Sequence, residues 1–327
     1  MSETGIPLYP LPLMPAYKDY IWGGDRIPRR YQRDLPPGRY AESWEFSDRS
    51  EGVSVVADGP LRGRRLDELL AQYGADLVGA DVATERFPLL IKLIDARERL
   101  SVQVHPNDMT APLTAGEPKT EAWYVLAADA DAAVYAGFKP GTDEQALRSA
   151  LLQGRVADLL ERHAVRPGDL IYIPGGLVHA IGAGCLLLEV QQNSNTTYRV
   201  YDWDRVGADG SPRELHLEQA LRVINWTARP RVIRPGPATP GERRRLLETP
   251  YFQLERLAPE GAGIPLPDQA QALFLANGQA VLRTVGRAGD LVMRPGTSLL
   301  LPAVVAGNSV AAVSEPPVEL LRITWQL

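Results

Sequence analysis

The chain has 327 residues, 45% hydrophobic and 23% charged, with a formal net charge of -5 and an isoelectric point near 5.5. That balance describes a globular protein with a sizeable core and excludes disorder, while the lack of a basic excess argues against a nucleic-acid face or an anionic membrane partner. The single cysteine, Cys185, cannot close an internal disulfide, the N-terminal MSETGIPLYPLPLMP has neither a basic start nor an uninterrupted apolar run, and no window nears the roughly 18 apolar residues of a membrane span, so a cytoplasmic location is expected.

The 28 prolines and 29 glycines point to many tight turns between short strands. In chain order, LDELLAQYGADLV from Leu66 has helical spacing. PLLIKLIDARERLSVQVHP, Pro88 to Pro106, reads as two strands around a charged turn, and TEAWYVLAA follows as another strand. A second helix is expected over EQALRSALLQGRVADLLERHA from Glu144, capped by Thr142 or Asp143. DLIYIP, CLLLEVQQN and TTYRVYDW return to strand, and LEQALRVI from Leu217 makes a third helix.

Beyond it, Pro and Arg accumulate without periodicity, placing a boundary between about Arg229 and Arg243 and dividing the chain into units 1–235 and 236–327. One similarity links the units. GDLIYIPGGLVHAIG from Gly168 and GTSLLLPAVVAGN from Gly296 both run glycine, five residues, proline, but His179 stands where the second copy has Gly307. The expectation is an all-β body of two similar barrels with helical insertions, only the first keeping its chemistry.

Alternation over SVQVHPND puts Ser101, Gln103 and His105 on one strand face and Val102 and Val104 on the other. By the same rule Lys119, Glu121 and Trp123 share a face. Two of the four histidines, His105 and His179, lie in these segments. Two imidazoles, the Glu121 carboxylate and the Gln103 amide oxygen suit a divalent ion such as zinc, with coordination positions left for water or substrate.

QVHPND, KTEAWYVL, GDLIYIPGGLVHAI and LEVQQNSNTTYRVYDWDR together closely resemble the type I phosphomannose isomerases, zinc-dependent members of the cupin superfamily, particularly their short bacterial form. The resemblance is dense from about Phe87 to Arg205. It implies a double cupin of two jelly-roll barrels, one zinc per chain on Gln103, His105, Glu121 and His179, and a sugar-phosphate substrate. It further implies catalytic or phosphate-binding roles for Lys92, Lys119 and Arg199 and proton transfer by Glu189, with Ser101 joining the substrate-facing set. ESWEFSDR from Glu42 and WGG at Trp22 also resemble the family, with no role assigned to either.

Aldose–ketose isomerisation between mannose 6-phosphate and fructose 6-phosphate moves a proton between C1 and C2 through an enediolate, which cations stabilise. Glu189 would serve as shuttle if burial raised its pKa, with a zinc-bound water or a lysine as the alternative base. Two other classes compete: a cupin dioxygenase, disfavoured by Gln103 in place of a histidine, and a non-catalytic sugar-phosphate sensor. Each cation also has a plainer reading. Arg199 would pair with Asp202 or Asp204, Lys92 would snorkel from a sheet edge, and Lys119 would be an ordinary loop lysine. His163, near the end of the second helix, His216, before the third, and Cys185 are read as structural.

Overall fold

The computed structural model describes residues 6–325 apart from 84, 207–209, 262, 287–288 and 314–316. Its strands form four antiparallel sheets. A seven-stranded sheet runs Arg231–Ile233, Leu170–Ile173, Glu121–Ala128, Cys185–Gln192, Leu89–Ala96, Glu42–Phe46, Ala16–Lys18, and a five-stranded sheet runs Tyr198–Tyr201, Val102–Val104, His179–Ile181, Ala133–Phe138, Leu160–Ala164. A second seven-stranded sheet runs Arg243–Glu248, Phe252–Leu257, Glu319–Trp325, Gln271–Asn277, Ser298–Leu301, Leu11–Met14, Val55–Val56, beside a four-stranded one.

Strand composition explains the layering. Leu89–Ala96 is buried along its whole length, so both faces need cover. Leu89, Ile91 and Leu93 pack into a core shared with Phe252, Phe274, Leu300 and Ile323 of the other seven-stranded sheet. Ile94 and Ala96 face the opposite way, into a core with Trp123, Ile171 and Ile181. Each fully buried aliphatic side chain contributes about 1.5–3 kcal/mol before ordering costs. Lys92, on that second face, therefore lies inside the first unit. It is no edge lysine.

The five-stranded sheet has the alternation expected of SVQVHPND. Val102 and Val104 pack outward against Leu147 and Ala220 of the covering helices, leaving Gln103 for the inner face. Those helices are Glu144–Leu152, capped by Asp143 accepting from the Ala146 N–H at 2.8 Å, and Leu217–Val223.

Two helical expectations need correction. Gly74, with φ +49°, divides the first helix into Leu66–Tyr73 and Ala75–Val78. The second stops at Leu152: Gly154 takes φ +64° and turns the chain, and Leu160–Ala164 becomes an edge strand on Ala133–Phe138. His163 thus sits in a strand, its Nε2 3.1 Å from the Ala136 carbonyl, and meets no helix dipole.

The strand order Leu170–Ile173, Glu121–Ala128, Cys185–Gln192, Leu89–Ala96 recurs in the second unit as Ser298–Leu301, Gln271–Asn277, Glu319–Trp325, Phe252–Leu257. Gly168 and Gly296, the first residues of the two similar segments, adopt φ +89° and +85°. The units are also stitched together. Leu11–Met14 from the N-terminal unit pairs with Ser298–Leu301.

Candidate metal centre

Three buried side chains converge where the five-stranded and first seven-stranded sheets face each other. His105 follows Val102–Val104, Glu121 opens its strand and His179 opens another, and their ligand-capable atoms lie within 4.8 Å of one another. His105 Nε2 is 3.5 Å from Glu121 Oε2, and His179 Nε2 is 3.4 Å from Glu121 Oε1. The turn between the two halves of the site requires its glycines. Gly176 has φ +90°, and a Cβ on Gly175 would lie 2.8 Å from the Cα of Asn107.

Gln103 pairs with His179 across the sheet, its amide nitrogen 3.3 Å from His179 Nε2. A half-turn of that amide brings its oxygen toward the same point. The tautomer of His179 follows from its neighbour: Nδ1 lies 2.8 Å from the Leu177 carbonyl and must donate to it, leaving the Nε2 lone pair for the cluster.

The donor set fits a divalent cation. Burial pushes His179 down to about 4 and, helped by Lys119, holds His105 well below 6.5, so both imidazoles are neutral ligands near neutral pH. Burial raises Glu121 to about 7 against the pull of Lys119. Neither of its buried oxygens accepts a directed hydrogen bond; Lys119 Nζ, 2.8 Å from Oε2 and 3.1 Å from His105 Nε2, forms an ion pair instead. A bound cation would favour the ionised carboxylate and occupy those open lone pairs.

Beside the cluster lies a cavity of about 300 Å³ walled by Ser101, Gln103, Ile181, Glu42, Lys92, Lys119 and Glu189, and by Tyr20, Trp22, Asn195, Thr197, Arg199 and Arg213. Within this set, Glu42 and Glu189 with Glu121 give three carboxylates against Lys92, Lys119, Arg199 and Arg213, a net positive charge before any metal. A larger depression of about 790 Å³ around Arg97, Arg99, Asp129 and Arg162 contains none of the expected site residues.

Glu189 behaves differently from expectation. Burial does push its pKa up, but Lys119 and Lys92 outweigh burial, and the carboxyl ends below its ordinary value. It is held as a carboxylate, suited to accept a proton. Burial likewise lowers Lys92, yet Glu42 and Glu189 dominate and keep it charged.

Arg199 is not paired with Asp202 or Asp204. Asp202 is taken by Arg205 at 2.6 Å and Arg213 at 2.7 Å, and Asp204 accepts from Tyr201. Arg199 Nη1 donates to the Glu214 carbonyl at 2.7 Å, and its buried Nε has no partner among the described residues. His216 does precede the third helix and accepts from the Arg199 N–H. Cys185 is buried, its thiol pushed up to about 12 by desolvation.

A family model for the type I phosphomannose isomerase catalytic domain matches residues 11–131. A mannose-6-phosphate isomerase of Streptococcus mutans is 37% identical over 306 residues, 90% of this chain and 93% of the relative. The chain belongs to the type I phosphomannose isomerase family. Bacillus subtilis mannose-6-phosphate isomerase ManA is 44% identical over 217 residues, 66% of this chain and 68% of the relative. Among solved structures, mannose 6-phosphate isomerase from Bacillus subtilis superposes with a TM-score of 0.81 at 28% identity, covering 96% of this chain and 99% of that one. A putative mannosephosphate isomerase from Archaeoglobus fulgidus gives 0.74 at 26% identity, covering 97% and 99%.

Several cavity residues of this family member were assigned no role from sequence: Glu42, Trp22, Tyr20, Asn195, Thr197 and Arg213. Glu42 and Trp22 stood in family-like motifs, and alternation in ESWEF would have set Glu42 and Trp44 on one face. Arg213 carried no such signal. It lies outside any strand or helix, and no periodicity links it to Arg199.

Proposed function

We propose that the chain interconverts mannose 6-phosphate and fructose 6-phosphate with one zinc ion held by Gln103, His105, Glu121 and His179. The observation that carries this reading is the convergence of two neutral imidazoles, a buried carboxylate and an amide beside a cavity of net positive charge. Zinc, when bound, would supply Lewis acidity to the oxygens at C1 and C2 of the open-chain sugar. Glu189, ionised by its lysines, takes the proton from C2 of the aldose, the O2 hydroxyl proton passes to O1, and Glu189 returns its proton at C1 as the carbonyl forms at C2. In the reverse direction it takes the C1 proton and delivers it to C2. Lys119 and Lys92 lower the cost of the enediolate, Arg199 and Arg213 receive the 6-phosphate, and the Ser101 hydroxyl meets a sugar hydroxyl.

The recurring strand order supports a double cupin of two jelly-roll barrels, residues 1–235 forming the catalytic unit and 236–327 the degenerate one. No helix among the described residues is long and apolar enough to cross a membrane. A cytoplasmic site of action suits a phosphorylated sugar substrate.

The test is an isomerase assay on purified protein with and without chelator. Turnover should vanish on chelation and return with zinc. Oxygen uptake without isomerisation would replace this reading with a dioxygenase, and binding of fructose 6-phosphate without proton exchange in deuterated water would replace it with a sensor.

A further inference from the structure

Four residues on adjacent strands stand in one row across the first seven-stranded sheet: Trp44 opposite Lys92, Lys92 opposite Glu189, Glu189 opposite Trp123. Their polar atoms, with Glu42, form a chain. The Trp44 indole N–H donates to Glu42 Oε2 at 2.7 Å, Glu42 Oε2 lies 3.6 Å from Lys92 Nζ, and Lys92 Nζ lies 3.4 Å from Glu189 Oε1. The Trp123 indole N–H closes it on Glu189 Oε2 at 3.0 Å. Lys92 Nζ also sits 5.1 Å from the centre of the Trp44 ring. Glu42, Lys92 and Glu189 are all buried, and all three wall the substrate cavity.

A lysine bracketed by two carboxylates is a poor phosphate anchor, because its charge is already balanced. It makes a good strut. A lysine side chain has four rotatable bonds, and with Glu189 alone the ammonium could swing toward the phosphate or Glu121. Glu42 and the Trp44 ring fix it from the far side. Glu189 Oε2 is tied to Trp123, whereas Oε1, itself buried, accepts no directed hydrogen bond from the described residues and lies 3.4 Å from the Lys92 ammonium. That leaves Oε1 as the atom with a lone pair for the sugar carbon's proton.

We infer that Glu42, oriented by Trp44, is a positioning residue for the isomerisation: it braces Lys92 against Glu189 so that Glu189 Oε1 is presented to the substrate. The inference rests on the isomerase reading and assigns ESWEF, which carried no role, a place in the reaction. It also moves Lys92 from phosphate recognition to support of the proton-transferring carboxylate.

The test measures kcat, KM, metal content and melting temperature for Glu42→Gln, Trp44→Phe, Lys92→Ala and the double variant Glu42→Gln/Lys92→Ala. Glu42→Gln should lower kcat by about 10- to 100-fold, the scale of loss when a reacting group is misplaced by a fraction of an ångström to 1 Å, while KM, metal content and melting temperature stay near wild type. In the Lys92→Ala background the same change should cost nothing further, because Glu42 acts through that lysine. Trp44→Phe keeps the carboxylate and removes only its donor, so kcat should fall about threefold or more, which holds the inference testable even where Glu42→Gln fails to fold. Glu42→Gln at wild-type kcat, an equal loss with and without Lys92, or an insoluble Glu42→Gln beside a fully active Trp44→Phe would each overturn it. Wild-type protein that isomerises neither sugar phosphate overturns the functional reading itself, whereas active wild type with an unaffected Glu42→Gln overturns only the role of Glu42.

Discussion

Arg199 and His179 flank Gln103 on neighbouring strands, so one cross-strand row carries both an imidazole that could hold a metal ion and a cation that lines the cavity. Their environments predict opposite mutational signatures. Among the described residues the Arg199 guanidinium donates to a backbone carbonyl and forms no ion pair, and burial together with nearby Arg213 lowers its pKa, so alanine there strands no buried counter-charge among them. Arg199→Ala should cut turnover about 100-fold with metal content and melting temperature nearly unchanged, as expected for a group that stabilises charge in the reaction. His179→Ala should lose metal and activity together, with metal affinity down tenfold or more, because it removes a ligand whose tautomer the Leu177 carbonyl has fixed. Metal analysis beside kcat separates the two; a His179→Ala protein at full occupancy would discard the ligand set. The placement of Gln103, His105 and Glu121 was legible because alternation is a local rule. The loss of Asp202 as a partner for Arg199 was not, because Arg205 and Arg213 both hold that carboxylate and no periodic pattern decides which arginines a carboxylate meets.

At the scale of elements, the strand Glu42–Phe46 shows how one motif serves two faces. Glu42 lines the cavity and Trp44 backs it through its indole N–H, while Ser43 and Glu45 point the other way, where Glu45 binds Arg33 at 2.9 Å and accepts from Ser298 at 2.5 Å. The SDR that follows ties two loops. Asp48 accepts from Asn193 and from the Phe87 N–H, and Arg49 meets Glu117 at 3.0 Å. Glu117 also accepts from the Asn195 N–H at 3.0 Å and pairs with Arg86. Glu117 precedes Lys119 by two residues, so the tie registers the lysine against the cavity wall at Asn195. Burial opposes ionisation of Glu117, yet the Asn195 N–H, Arg86 and Arg49 outweigh it and leave its pKa below 4.5. The unfolded chain takes up this proton first as pH falls, so the stabilisation is complete above about 4.5 and declines through the lower folded value. The melting temperature of wild type should therefore drop more steeply between pH 5 and 3 than that of Glu117→Gln, as calorimetry across that range would show; parallel curves would remove Glu117 from the acid response. Strand against helix was the harder distinction from sequence. RVADLLERHA has helical spacing, but after the Gly154 turn the exposed edge of Ala133–Phe138 offers backbone partners, and tertiary pairing overrides local propensity.

For the molecule as a whole, the question is why the sheet that repeats the strand order has, among the described residues, no second cluster of metal-ligating side chains. The sheet registers answer it position by position. Glu121 lies opposite Ile173, just before Pro174, and the corresponding residue opposite Leu301, just before Pro302, is Gln271. Lys92 faces Glu189 and Trp44; the second unit has Glu255 facing Arg322 and Arg245. Glu42, two before Trp44, corresponds to Arg243, which approaches Glu255 at 3.4 Å. The acid–base–acid row Glu42–Lys92–Glu189 thus reappears as base–acid–base, Arg243–Glu255–Arg322. The inverted row is also closed: Arg322 reaches both Glu255 and Gln271 at 2.5 Å, while the first unit's contacts of 3.4 and 3.6 Å border a cavity. Gly307 replaces the histidine. The buried Arg322 guanidinium repels a divalent cation, and the buried Glu255 carboxylate is already paired with Arg322 and Arg243. Apoprotein titrated with zinc, followed by calorimetry and by metal analysis after desalting, should therefore saturate at one ion per chain, and a second tightly held equivalent abolished by Glu255→Gln would overturn this reading of the Arg243–Glu255–Arg322 row.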